Sequence, residues 1–128
     1  MQPHETNVLV VDDDDGIRFT LEGIIEDEGY AVRGARDGYQ AIEMVKEINF
    51  HWVFMDIRMP GLNGVETYLE IKKISPDSKV VMMTGFSVEA LVNKALEEGV
   101  CAVLYKPLPV EQVLDLLKSG AHPEEVKN

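Results

Sequence analysis

Five short apolar runs alternate with helical patterns along this chain. The runs are rich in apolar and often β-branched residues, so they predict strands that are buried on both faces of a sheet. They occupy residues 7–11, 30–35, 52–55, 80–83 and 102–104. After each run, apolar residues recur at the spacing of one helix face, which predicts five strand–helix units.

Turn and capping residues bound the predicted helices. In the first helix the apolar positions are 17, 21, 24 and 25, and the helix ends near Gly29. The second begins after the Asp37-Gly38 turn, the third is entered through residues 60–64, the fourth stops at Gly99 and the fifth ends at Ser119-Gly120. A helix therefore follows every predicted strand.

Strands that alternate with helices form a parallel sheet, because each helix carries the chain back in a right-handed crossover. A closed barrel of eight such units needs about 250 residues, and this chain has 128. We therefore predict an α/β fold: an open five-stranded parallel sheet with helices on both faces, flavodoxin-like and doubly wound as (βα)5. In such sheets, ligands bind beyond the carboxyl ends of the strands.

Composition and charge limit the function classes. Asp and Glu total 23 and Lys and Arg total 12, so the formal net charge is −11. An acidic surface repels phosphate groups, which argues against direct nucleic-acid binding. The single Cys101 excludes an internal disulfide and a multi-cysteine zinc site. We expect its thiol to be buried and inert.

The sequence also bears on location and domain organisation. No apolar run approaches the roughly 20 residues that cross a bilayer, and residues 1–7 lack the features of a signal peptide. We therefore expect no membrane association and a cytoplasmic location. The length fits one domain, predicted over residues 7–120, with a disordered segment at 1–6 and a frayed tail at 121–128.

Four consecutive acids, Asp12-Asp13-Asp14-Asp15, follow the first strand. Carboxylates favour a helix N-terminus by a few tenths to about 1 kcal/mol each, so capping accounts for Asp14 and Asp15. Asp56 directly follows the third strand. If the first and third strands are neighbours, Asp12, Asp13 and Asp56 gather within a few ångströms, where three ionised carboxylates need a cation or strong pKa shifts. Their oxygen ligands predict Mg²⁺.

Polar residues also end the fourth and fifth strands, at Thr84 and Lys106. Taken alone, the hydroxyl is better explained as a helix cap, and the lysine as a solvated side chain. Among the strand ends, however, Lys106 is the only cation that faces the acids, where an ammonium can bind a phosphate. Gly85 leaves room for a group to approach. Two carboxylates for a metal, a third as nucleophile, a hydroxyl and an ammonium are what phosphoryl transfer to a carboxylate requires.

Together these residues resemble the receiver domain of two-component response regulators. The similarity extends from about Asn7 to Leu117, nearly the whole chain. Four segments carry it, in the same order and spacing: Val10-Val11-Asp12-Asp13, Met55-Asp56-Ile57-Arg58-Met59-Pro60-Gly61-Leu62-Asn63-Gly64, Met82-Met83-Thr84-Gly85 and Tyr105-Lys106-Pro107.

The resemblance implies a metal site and a phospho-acceptor. Asp56 would accept a phosphoryl group from a histidine kinase or a phosphotransfer protein, in a Mg²⁺-dependent reaction. Asp13 would be a direct Mg²⁺ ligand, and Asp12 would act largely through water. The backbone carbonyl of Arg58 would complete the protein's part of the metal shell.

The resemblance also implies roles for the residues around the phosphoryl group. Thr84 would bond a phosphoryl oxygen, and Lys106 would pair with the phosphoryl group beside a cis Lys106–Pro107 bond, which few X–Pro bonds adopt. Arg58 and Phe86 border the site, and we expect them to shield the acyl phosphate and tune its hydrolysis.

A receiver domain would be a signalling module rather than an enzyme, with only slow self-dephosphorylation. Phosphorylation would switch a surface on the fourth helix, fifth strand and fifth helix, to which an output partner binds. The family commonly has an aromatic residue where this chain has Val103, and Tyr105 stands next to Lys106 instead, either as an exposed contact or as ordinary packing. The sequence is compatible with a stand-alone receiver and with a piece of a larger protein.

A haloacid dehalogenase-like phosphatase is the alternative interpretation. The segment from Asp13 to Ile17 resembles the opening motif of that superfamily, with Asp13 as nucleophile and Asp15 as general acid. Thr84 and Lys106 would then match its later motifs. However, no acidic pair follows a later strand, and the acid at position 56 would have no role.

Overall fold

The computed structural model describes residues 6–85, 89–107 and 109–119. In this part of the chain, strands and helices alternate as the hydrophobic pattern predicts. The strands are β1 (Asn7–Val11), β2 (Ala31–Ala35), β3 (Trp52–Asp56), β4 (Lys79–Thr84) and β5 (Ala102–Tyr105). The helices are α1 (Asp15–Asp27), α2 (Gly38–Glu47), α3 (Gly64–Ile74), α4 (Glu89–Glu98) and α5 (Val110–Ser119).

All the paired strands run parallel in one open sheet of order β2-β1-β3-β4-β5. The predicted fold class is confirmed. From β1 the chain passes to β2 on one side of the sheet, and from β3 it passes to β4 and β5 on the other side. The strand order therefore reverses between β1 and β3. That reversal is the point where open α/β sheets form a crevice beyond the carboxyl ends.

Helices cover both faces of the sheet because the strands are apolar on both sides. On one face, Leu9 and Val53 belong to a core that includes buried residues of α2, α3 and α4. On the other face, Val10 and Phe54 belong to a core completed by α1 and α5. Each fully buried side chain of this size contributes about 1.5–3 kcal/mol to folding. The central strands are therefore held rigidly from both sides.

Three strands are longer than predicted: β3 gains Asp56, β4 gains Lys79 and Thr84, and β5 gains Tyr105. β3 extends to Asp56 and β4 to Thr84, because pairing with the neighbouring strand continues at these positions. Asp56 lies opposite Met83, and Thr84 lies opposite Tyr105. The polar side chains are consequently fixed by sheet geometry and not by a loop.

Two smaller expectations differ from the structure. β2 begins at Ala31, one residue later than predicted, where pairing with Asn7 of β1 starts. Cys101 is half-buried, not buried, because it lies in the turn before β5 and outside the paired strand. Its backbone N–H donates to the carbonyl of Val80 at 2.8 Å.

Several expectations concern residues outside the described ranges. Residues 1–5 of the predicted N-terminal segment, Phe86, and the predicted tail at 121–128 lie there. Among the described residues, no helix combines the length and the apolar character needed to span a membrane.

Candidate functional site

The sheet brings three predicted acids together at its carboxyl edge. β1 and β3 are neighbours with Val11 opposite Met55, so the next residue of each strand, Asp12 and Asp56, lies at the same level. One carboxylate oxygen from each of Asp12, Asp13 and Asp56 lies within 4.8 Å of the others. Asp12 is fully buried and Asp56 is 8% exposed, whereas Asp13 is exposed.

Lys106 reaches across from the end of β5 to these acids. Its ammonium Nζ lies 2.9 Å from Asp12 Oδ2 and 3.2 Å from Asp56 Oδ2, and it donates a hydrogen bond to each. Its backbone N–H donates to the carbonyl of Thr84 at 2.8 Å, which ties the end of β5 to the end of β4. The peptide bond between Lys106 and Pro107 is cis, as the family resemblance implied.

The turn after β1 separates acids that hold structure from acids that face the site. The backbone N–H of Asp14 donates to Asp12 Oδ1 at 2.9 Å. The Asp14 side chain caps α1 by accepting from the Ile17 N–H at 3.0 Å, as predicted. Asp15 lies in the first helical turn and pairs with Arg18 at 2.7 Å. Only the first two acids of the run therefore remain for the site.

The loop after β3 is fixed close to the end of that strand. The Arg58 N–H approaches Asp56 Oδ1 at 3.4 Å, the long end of hydrogen-bonding distance. At the start of α3, a Cβ on Gly64 would lie only 2.7 Å from the Asp56 carbonyl oxygen, so a side chain there would displace the helix or the strand. Asn63 caps this helix in a reciprocal pair with Glu66. Gly64 and the Asn63 cap thus allow the start of α3 to lie close to Asp56.

Thr84 and Gly85 complete the edge on the β4 side. Thr84 is buried at the end of β4. A Cβ on Gly85 would lie 3.5 Å from Lys106 Cδ, at ordinary contact distance. A side chain at that position would fill space beside the lysine, which agrees with the expectation that glycine leaves room there. Residues at or just after the ends of β1, β3, β4 and β5 therefore line one cleft: Asp12, Asp13, Asp56, Gly85 and Lys106.

Burial and charge act against each other in this cleft. Burial raises the pKa of Asp56; the neighbouring Lys106 lowers it and Asp12 raises it, and the net direction is upward. Burial alone would lower the pKa of Lys106, but hydrogen bonds and attraction to the two carboxylates outweigh it, so its pKa is raised. Three carboxylates face one ammonium, which leaves an excess of negative charge. An all-oxygen donor set with this excess fits a hard divalent cation.

Sequence reasoning missed one charged residue next to the site. Arg18 of α1 is buried, and its Nη1 donates to the backbone carbonyl of Asp12 at 2.8 Å. The signal was present in the spacing, since Arg18, Leu21 and Ile25 form the buried stripe of the helix. A charge on an apolar stripe is rarely buried unless it has partners.

Comparison with known proteins places these features in a family context. The family model for the response regulator receiver domain matches residues 8–118. The chemotaxis protein CheY of Thermotoga maritima is 37% identical over 111 residues, which cover 86% of this chain and 92% of that protein. The transcriptional regulatory protein ZraR of Klebsiella oxytoca is 37% identical over 123 residues, and the match spans only 28% of its length.

Two solved structures share both the fold and part of the sequence. The CheY-like response regulator receiver domain protein from Methanospirillum hungatei gives a TM-score of 0.85 at 28% identity, over 89% of this chain and 91% of that chain. The response regulator protein TrrA from T. maritima, in complex with Mg(2+)-BeF, gives 0.80 at 28% identity, over 91% and 99%.

Proposed function

This chain belongs to the response regulator receiver domain family, and on that premise we propose that Asp56 accepts a phosphoryl group in a Mg²⁺-dependent reaction. A histidine kinase or a phosphotransfer protein would be the donor. One observation carries the proposal: a nearly buried carboxylate at a strand end, 3.2 Å from an ammonium and clustered with two further acids.

The metal site follows from the donor set. Asp12, Asp13 and Asp56 would hold Mg²⁺, together with the backbone carbonyl of Arg58. When bound, the ion neutralises charge on the carboxylates and on the transferring phosphoryl oxygens. The TrrA structure, which contains Mg(2+)-BeF, supports the presence of such a site in a protein of the same fold.

The chemistry is nucleophilic displacement at phosphorus. A carboxylate oxygen of Asp56 would form the new O–P bond while the bond from phosphorus to the donor's leaving group breaks, giving an acyl phosphate. The ammonium of Lys106 already lies beside that carboxylate and would pair with a phosphoryl oxygen. Thr84, at the end of the adjacent strand, would donate its hydroxyl to another oxygen. Attraction to these groups stabilises the negative charge of the transferring group.

Incubation with acetyl phosphate followed by intact-protein mass spectrometry tests this proposal. We expect the wild type to gain the mass of one phosphoryl group in Mg²⁺ and none in excess EDTA. Asp56→Asn and Asp13→Asn should abolish the label. Asp14→Asn is the matched control, because asparagine caps a helix as well as aspartate, and it should label normally. Labelling that persists in Asp56→Asn would refute the assignment.

The family match and the geometry support the receiver and not the phosphatase interpretation. The proposed general acid of that alternative, Asp15, is 72% exposed in its side chain and is paired with Arg18. Asp56, which the phosphatase leaves without a role, is instead central to the cluster. A phosphatase would hydrolyse an aryl phosphate in steady turnover after Asp56→Asn; we expect no such turnover.

We further infer that α4, β5 and α5 carry the signal to an output partner. Two large apolar side chains on this surface are exposed, Leu96 on α4 (51%) and Tyr105 at the end of β5 (59%). Replacing either with alanine should weaken partner capture by the beryllofluoride-treated protein. Ile74 on α3 is 38% exposed and offers the control substitution, for which capture should be unchanged.

A further inference from the structure

A buried arginine holds the backbone from which the acids project. Arg18 is 9% exposed and lies on the stripe of α1 that faces the sheet. Its Nη1 donates to the carbonyl of Asp12 at 2.8 Å in a bond that is shielded from solvent. That carbonyl belongs to the peptide that joins Asp12 to Asp13. The guanidinium therefore restrains the orientation of this peptide plane, and with it the direction of the Asp13 side chain.

The arginine is itself held on several sides. Its Nη2 donates to Asp15 Oδ1 at 2.7 Å, and its Nε lies 3.6 Å from Glu22 Oε2. The ring of Phe19 lies 4.8 Å from the guanidinium carbon. On β2, a Cβ at Gly34 would lie 3.1 Å from Arg18 Cδ and would clash with the Glu22 carboxylate. The absence of a side chain at 34 thus makes room for the pair.

The three acids differ in how their carboxylates are held. Asp12 accepts from the Asp14 N–H and from Lys106, and Asp56 accepts from Lys106 and from the Arg58 N–H. Within residues 6–85, 89–107 and 109–119, no hydrogen bond or ion pair involves the Asp13 carboxylate. Its position therefore depends on the backbone, which two bonds hold: the Asp14 N–H donates to Asp12 Oδ1, and Arg18 donates to the Asp12 carbonyl.

We propose that Arg18 is a positioning residue of the metal site, which orients Asp13 through the Asp12 carbonyl and so sets the affinity for divalent cations. This inference rests on the proposed function, because it takes Asp13 as a ligand. Loss of groups that orient metal ligands typically lowers affinity 10- to 100-fold. If only the charge of Arg18 mattered, its removal would raise the affinity for divalent cations, because one positive charge near the site would no longer repel another.

The test is a Mn²⁺ titration followed by the electron paramagnetic resonance signal of the free ion, with Mg²⁺ as competitor. We expect Arg18→Met to bind Mn²⁺ about tenfold more weakly than the wild type. Arg18→Lys keeps the charge but has one nitrogen in place of the two that bond the Asp12 carbonyl and Asp15, so we expect weakening of several-fold. Glu22→Gln leaves the bond to the Asp12 carbonyl in place and should stay within twofold of the wild type.

Urea unfolding in EDTA establishes that each variant is folded at the titration temperature. An Arg18→Met protein that binds Mn²⁺ as well as or better than the wild type would overturn the inference. If Arg18→Met does not fold, Arg18→Lys provides the test. A Mn²⁺ affinity of Arg18→Lys within twofold of the wild type would then contradict the inference. Asp13→Asn separates the two levels of the argument. Undiminished binding in Asp13→Asn contradicts the proposed metal site itself, whereas lost binding there with normal binding in Arg18→Met contradicts only the role of the arginine.

Discussion

The two ends of the sheet use polar groups in opposite ways. At the amino end, the His51 N–H donates to the Asn7 carbonyl at 2.9 Å, and the His51 carbonyl accepts from the Lys79 N–H at 3.0 Å. The Ser78 hydroxyl donates to the Phe50 carbonyl at 2.6 Å. These neutral bonds satisfy the backbone where the strands begin. At the carboxyl end, by contrast, three carboxylates cluster, and an ammonium beside them pairs with two of the three.

This difference separates the part of the molecule that stabilises the fold from the part that is available for chemistry. Buried like charges oppose folding, and buried hydrogen bonds with matched partners favour it. The amino end therefore contributes stability, and the carboxyl end keeps an excess of negative charge that attracts a cation. Four predictions test this contrast.

Removing the ammonium should have the largest effect. Lys106→Met leaves Asp12 and Asp56 buried without their counter-ion, and we expect the metal-free protein to lose about 3 kcal/mol of unfolding free energy. Lys79→Met is the matched variant at the amino end, where the ammonium lies 5.5 Å from the Trp52 ring centroid. Lys79 is half-buried, and such a contact is worth about 0.5–2 kcal/mol. Urea denaturation in EDTA measures both, and equal losses would remove the distinction between the ends.

Removing one of the clustered acids should raise the unfolding free energy instead of lowering it. Asp56→Asn abolishes a buried like charge but keeps a side chain that can accept from Lys106, so we expect the metal-free protein to gain about 1–2 kcal/mol at neutral pH. Asp77→Asn replaces an exposed acid near the amino end and should change stability by less than about 0.5 kcal/mol. A loss of stability in Asp56→Asn would show that the cluster is not strained.

The pH dependence should follow the raised pKa of Asp56. Because burial raises this pKa above its unfolded value, the folded state holds the proton more tightly, and stability from this group is greatest at low pH. That stability is lost as the pH rises through the raised pKa. The advantage of Asp56→Asn over the wild type should therefore shrink as the pH falls from 7 towards about 4. Denaturation at several pH values in EDTA measures the difference, and an advantage that grows on acidification would contradict the assigned direction.

The smallest effect is expected at the amino end. Ser78→Ala removes the hydroxyl that bonds the Phe50 carbonyl and the Ser75 side chain, and we expect a loss of about 1 kcal/mol. Labelling by acetyl phosphate should be unchanged in this variant, because the substitution lies at the opposite end of the sheet. Reduced labelling of the fully folded protein would mean that the two ends are coupled.

Much of this arrangement could be predicted from the sequence because it depends on simple periodicities. Buried parallel strands are continuous apolar runs, and their carboxyl ends meet at one edge, so the sequence alone predicts that Asp12 and Asp56 converge if β1 and β3 are neighbours. The capping role of Asp14 is also predictable, because it depends only on the position of this residue just before a helix. The sequence does not establish that β1 and β3 are neighbours, and the structure shows that they are.

Other features depend on tertiary contacts that no local pattern contains. The role of Arg18 needs the approach of α1 to the end of β1 and the open space over Gly34 on β2. The extension of β4 to Thr84 needs its pairing with β5. The sequence left two alternatives for Tyr105, an exposed contact or ordinary packing, and its position at the sheet edge leaves it exposed.

The position of Trp52 has a practical consequence for spectroscopy. The only tryptophan of the chain begins β3 and is nearly buried, stacked on Phe54. Asp56 lies four positions further along the strand, a distance of about 13 Å at the usual rise. Its fluorescence should therefore report loss of the hydrophobic core while remaining insensitive to ions or phosphoryl groups at the far edge. The protein thus contains an intrinsic optical probe of unfolding that is independent of its ligands.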